Sequence, residues 1–161
     1  MAHELIKLFE DFSLNLDDVR AIVLTGSGTR TFCAGGDLKE REGMSDTDWI
    51  LQHPVYERMV RAVLACPIPT IGAINGAAYG GGCELVSALD FCFATETAKF
   101  AQTELKIGTI LGTGGTQTLS RTISKRRAKE LILTGKPFTA AKALNWGLLN
   151  DIFRWIAYFQ Q

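Results

Sequence analysis

Histidine is nearly absent from this chain. His3 and His53 are the only two, and Cys33, Cys66, Cys83 and Cys92 contain no Cys-x-x-Cys pair. Zinc sites draw on these residue types at short fixed spacings, so no metal site is expected. No histidine stands close in sequence to a cysteine to activate it. Cysteines in apolar or glycine-rich surroundings read instead as small buried hydrophobes. An excess of either charge is missing too. Seventeen Lys and Arg balance seventeen Asp and Glu, which leaves no basic field to gather nucleic acid and no acidic tail. No apolar run approaches the length of a membrane span, and Met1-Ala2-His3-Glu4 lacks a basic stretch followed by an apolar one. A soluble, cytoplasmic protein is expected.

What is present is an ordinary globular composition, 47% hydrophobic and 21% charged over 161 residues. That suffices for one domain with a real core. Leu5, Ile6, Leu8, Phe9 and Phe12 recur at helical spacing and predict a helix from Ala2 to Asn15. Val19 to Thr25 is a short apolar run ended by Gly26-Ser27-Gly28, hence a buried strand. Asp46 to Leu64 predicts a helix entered or bent at Pro54, and Thr70 to Ile74 a strand. Further strands are expected at Asp90 to Thr95 and Lys99 to Gln102. Helices are expected at Ser124 to Leu133 and Ala140 to Trp146, the last capped by Thr139 and closed by Gly147. Strands alternating with helices predict an α/β architecture with mainly parallel strands.

The most informative stretch is Ile71 to Leu85. A β-branched run stops at Asn75-Gly76, passes Gly80-Gly81-Gly82, and resumes as a helix with Glu84 in its first turn. A second glycine turn, Gly35-Gly36, follows Phe32-Cys33-Ala34. If both turns open at one edge of a parallel sheet, one N–H from each forms a two-donor oxyanion hole. Glu84 and Glu104 are the acid/base candidates. Two carboxyls held together in an apolar site do not both ionise readily. The sequence leaves open which keeps the proton. Each also has a plainer reading, Glu84 as a helix-start carboxylate and Glu104 as a solvated turn residue. Gly112-Thr113-Gly114-Gly115 looks like a phosphate cradle, yet no lysine follows as in a P-loop. Asp37 reads as a turn-fixing acceptor or a base, and Tyr79 as a packing or pocket-lining residue. Lys125-Arg126-Arg127 reads as a solvated helix face.

Four ordered motifs carry a family resemblance: Phe32 to Glu40, Ala73 through Leu85, Phe100 to Glu104, and Gly112 to Gln117. Together with Leu133-Thr134-Gly135 and Gly147-Leu148, they resemble the crotonase, or enoyl-CoA hydratase/isomerase, superfamily from about Leu5 to Leu149. The resemblance implies a crotonase-like ββα spiral core and acyl-CoA thioester substrates, with no cofactor beyond the coenzyme A of the substrate. It implies that the N–H groups of Gly36 and Gly81 bind the thioester oxygen. Glu84 and Glu104 then hold a water between them, Glu84 acting toward the water and Glu104 toward the α-carbon. Ala34, Asp37, Tyr79, Gly80 and Gly112 fall at substrate-binding positions. Having both glutamates points to hydration of a trans-2-enoyl-CoA. The alternatives are a Δ3-Δ2 enoyl-CoA isomerase and an inactive acyl-CoA-binding or association module.

Members of the superfamily usually carry a strand hairpin before the helix that begins here at Met1, and helices beyond the point matching Leu149. This sequence has neither, so a single domain truncated at both ends is expected, with residues 150–161 as a divergent aromatic tail. The resemblance implies a homo-oligomer, a trimer in most relatives. Without the hairpin and covering helices, apolar surface should be exposed.

Overall fold

The computed structural model describes residues 1–14 and 19–154. In chain order the elements are α1 (Ala2–Leu14), β1 (Ile22–Thr25), β2 (Thr31–Cys33), α2 (Leu38–Arg41), α3 (Asp46–Leu64), β3 (Thr70–Ile74), β4 (Ala77–Tyr79), α4 (Gly81–Val86), β5 (Phe91–Thr95) and β6 (Lys99–Ala101). A 3-10 turn at Glu104–Ile107 comes next, then α5 (Gly115–Thr122), α6 (Lys125–Thr134), β7 (Phe138–Thr139), α7 (Ala140–Trp146) and β8 (Asp151–Phe153).

The strands form two four-stranded sheets, ordered β1-β3-β5-β8 and β2-β4-β6-β7. Every pairing is parallel except β6 with β7. Successive passes of the chain put one strand in each sheet: β1 then β2, β3 then β4, β5 then β6. That is the expected ββα spiral. Because β2, β4 and β6 run parallel, their C-terminal ends share one edge, and the segments leaving them meet there.

Side-chain alternation explains how the first sheet is held. Thr70, Gly72 and Ile74 of β3 face inward and are buried. Phe9, Ile74, Leu85, Phe100 and Leu119 are among the largest fully buried side chains of the core. Helix α1 packs on α3, where Met59, Val60 and Val63 are buried. The Glu10 carboxylate accepts two bonds of 2.8 Å from Arg58 across that pair. Asn75 ties the sheet edge together. Its amide donates to the Gly26 and Gly28 carbonyls at 2.8 and 2.7 Å, and its oxygen accepts from the Gly26 N–H at 3.1 Å. The opposite face of the first sheet exposes Val23, Phe91 and Phe153, the apolar surface that the sequence leads one to expect.

The long predicted elements are found, with differences at the ends. The strand expected from Val19 begins at Ile22, and helix α3 starts after the Ser45 cap, running through Pro54 without a break. Strands β2 and β4 lie inside stretches that the sequence presents as glycine turns. Helix α5 emerges from the third glycine loop, and Asp151–Phe153 of the expected tail forms β8, paired with β5. Asn15 and residues 155–161 lie outside the described residues. Among the described residues no helix is long and apolar enough to cross a membrane.

Candidate active site

A cavity of about 720 Å³ opens at the edge where β2, β4 and β6 end. Ala34, Gly35 and Gly36 after β2, Gly80 and Gly81 after β4, and Glu104 after β6 all line it, with Glu84 and Gly112. Asp37 and Tyr79 are not among the lining residues. Asp37 instead caps α2, its Oδ1 accepting from the Lys39 N–H at 2.9 Å, while Tyr79 is half-buried in β4.

The two glycine turns abut. A methyl placed on Gly35 would lie 3.1 Å from the Gly81 nitrogen, and one on Gly81 would lie 3.7 Å from the Gly35 Cα. Gly80 takes φ +53°, a left-handed conformation that side chains resist, and this turns β4 abruptly into α4. Gly81 is the first residue of α4, so its N–H has no acceptor within the helix. The Gly36 N–H likewise has no acceptor among the described residues. Two unspent donors therefore sit at neighbouring turns on the cavity wall.

Glu84 is buried on α4, with its carboxylate held by the third glycine loop. Oε1 accepts from the Gly115 N–H at 2.8 Å and the Thr113 N–H at 3.1 Å. The loop is an anion cradle, but the anion it holds is the protein's own. Gly115 is required by closeness: a methyl there would lie 2.6 Å from the Glu84 Cγ. The sequence presents Gly112 to Gly115 as a phosphate-cradle look-alike without the lysine of a P-loop.

Glu104 heads the 3-10 turn and is also buried. Its Oε2 is shielded from solvent and has no hydrogen-bond partner, while Oε1 would lie 3.1 Å from a methyl on Gly80. Burial pushes the Glu104 carboxyl above the usual range, and the Glu84 charge adds to the rise. Backbone hydrogen bonds and the Arg41 guanidinium oppose it. The pair is thus differentiated. Glu84 spends an oxygen on two backbone donors, and Glu104 is the carboxyl favoured to keep a proton.

The neighbouring thiols are quiet. Burial raises Cys83 far above an ordinary thiol, with the charges of Glu104 and Glu84 adding to it. Burial also pushes Cys92 up to about 12. Neither supplies a thiolate at neutral pH.

Sequence reasoning missed the wall contributed by α2 and α3. Arg41, Trp49, His53 and Tyr56 line the cavity. The His53 Nε2 lies 3.3 Å from Glu57 Oε1, and its ring fills the space a Gly112 side chain would need. Nothing in the local pattern of α3 separates these residues from an ordinary exposed helix face.

Comparison with known proteins follows the same lines. The family model for enoyl-CoA hydratase/isomerase matches residues 1–155. A mitochondrial enoyl-CoA hydratase of Pongo abelii is 42% identical over 154 residues, an alignment covering 93% of this chain and 49% of that protein. An enoyl-CoA isomerase/hydratase of Mycosarcoma maydis is 45% identical over 134 residues, covering 83% and 48%. The crystal structure of an enoyl-CoA hydratase from Bacillus anthracis superposes with a TM-score of 0.91 at 40% identity, covering 95% of this chain and 59% of that one. The chain spans about half the length of the curated relatives it matches.

Proposed function

The chain belongs to the enoyl-CoA hydratase/isomerase family, and from that premise we propose that its site hydrates a trans-2-enoyl-CoA. The observation that carries this reading is the convergence of Gly36, Gly81, Glu84 and Glu104 on one cavity.

In this reading the thioester oxygen accepts from the N–H groups of Gly36 and Gly81. A water rests between the two carboxyls. Glu84 removes a proton from the water, whose oxygen forms a bond to the β-carbon. The π electron pair of the enoyl group moves toward the thioester oxygen, giving an enolate that the two N–H groups stabilise. Glu104 delivers its proton to the α-carbon, and the carbonyl re-forms. The proton taken by Glu84 restores the starting state through exchange with the carboxyl pair and solvent. Each oxyanion donor is worth about 3–4 kcal/mol of barrier, and each proton-transfer group about 10²–10⁴-fold in rate.

Two features support hydration over a one-base proton shuttle. Both carboxyls face the same cavity, and burial favours a proton on Glu104 while Glu84 is fixed by backbone donors. The test is hydration of crotonyl-CoA, followed by loss of the enone absorbance, in the wild type, Glu84→Gln and Glu104→Gln. Turnover lost in both variants is expected. No turnover in a folded wild type would overturn the reading. Isomerisation of a 3-enoyl-CoA that survives Glu84→Gln would replace it with the isomerase.

A further inference from the structure

The cavity wall carries a charged group that this mechanism does not use, the guanidinium of Arg41. It lies 4.4 Å from the centroid of the Trp49 ring and 5.7 Å from that of Tyr56. Two aromatic faces therefore hold it in place. A terminal nitrogen comes within 3.0 Å of the position a methyl on Gly36 would take. Its Nε is shielded from solvent and has no hydrogen-bond partner, and among the described residues Arg41 forms no ion pair. Nearby arginines are served: Arg58 has Glu10, and Arg61 has Glu57. The acids on the cavity wall are otherwise engaged or disfavoured as anions by burial, although the Arg41 charge does reach Glu104. Glu57 also meets His53, Glu84 spends Oε1 on two N–H groups, and Glu104 is pushed toward its neutral form.

A cation fixed by aromatic rings, forming no ion pair among the described residues and facing a cavity, is arranged for an anion brought by the ligand. Its place in the cavity says which part of the ligand. Under the reading above, Gly36 meets the thioester oxygen, so Arg41 sits within a few bonds of the thioester. The phosphates of coenzyme A lie a whole pantetheine arm away. We propose that Arg41 selects acyl-CoA esters whose acyl chain carries a terminal carboxylate, pairing its guanidinium with that group. The proposal rests on the acyl-CoA reading of the site and names the substrate class within it.

Equilibrium binding tests this without turnover. Saturated glutaryl-CoA and butyryl-CoA are titrated by calorimetry into the wild type, Arg41→Gln and Arg41→Lys. In the wild type, glutaryl-CoA should bind at least about tenfold tighter. That ratio should fall toward one in Arg41→Gln and recover in part in Arg41→Lys. It should also persist when the pantetheine thioesters, which lack the nucleotide, replace the CoA esters. Equal affinities in the wild type overturn the proposal, as does a ratio that survives Arg41→Gln. A loss shared equally by both CoA esters but absent with pantetheine esters assigns Arg41 to a CoA phosphate and overturns it as well. Failure of either ester to bind overturns the acyl-CoA reading too. Crotonyl-CoA hydration without preference for glutaryl-CoA overturns only the role of Arg41.

Discussion

Replacing Glu84 in two ways separates its structural from its chemical role. Its Oε1 accepts from Gly115 at 2.8 Å and from Thr113 at 3.1 Å. Glu84→Ala leaves both donors without an acceptor at a buried position. Hydrogen bonds to a charged group contribute about 1.5–3 kcal/mol each, so two set an upper limit of about 6 kcal/mol. Water entering the vacated space restores part of this, leaving a loss of about 2–4 kcal/mol. For a chain of this size that lowers the unfolding midpoint by roughly 5–12 °C. Glu84→Gln keeps an amide oxygen where Oε1 stood and loses only the charge assistance, about 1 kcal/mol. Yet neither variant has a base, so both should lose hydration of crotonyl-CoA by about 10²–10⁴-fold. Thermal unfolding followed by circular dichroism, with enone absorbance for activity, gives both readouts. Equal midpoints for the two variants would refute the cradle. Retained hydration in Glu84→Gln would refute the base.

Two further outcomes test the surroundings. The Glu104 carboxyl titrates above its ordinary range because burial disfavours its charge. The native state therefore holds that proton more tightly than the unfolded chain, and stability falls as pH rises from the unfolded value through the folded one. Glu104→Gln should accordingly unfold at a higher temperature than the wild type near pH 8, with the difference closing near pH 4. A variant less stable at pH 8 would contradict this. At the sheet edge, Asn75→Asp turns two donated bonds, at 2.8 and 2.7 Å, into oxygens facing oxygens. A loss of about 2–4 kcal/mol in urea unfolding is expected, and a change under about 0.5 kcal/mol would show that the amide is not needed there.

Legibility in the sequence followed the range of the forces involved. Helices α1 and α3 carry their own periodicity, and α6 and α7 their own caps, so they are visible locally. Strands β2 and β4 have three residues each, too few for alternation to register, and both sit among glycines that look like turns. Helix α5 opens on Gly114 and Gly115 with no side-chain cap, so nothing marks its start. Gly36, Gly81, Glu84 and Glu104 stand out because glycine turns and first-turn carboxylates are local patterns. Arg41 does not stand out, because the rings that hold it come from α3 and the wall it faces comes from β2.

The alternation of strands and helices, the two glycine turns, and the pair of carboxyls placed just beyond strand ends are written in the chain. These depend on residue type and spacing within one segment. Folding in three dimensions brings the ends of β2, β4 and β6 to a common edge. It also decides that the Thr113–Gly115 loop holds Glu84, that Glu104 is desolvated, and that Arg41 rests on Trp49 and Tyr56 with no ion pair among the described residues. Hydrogen bonds, desolvation and ion pairing act between atoms a few ångströms apart in space, and in this fold those atoms lie tens of residues apart along the chain.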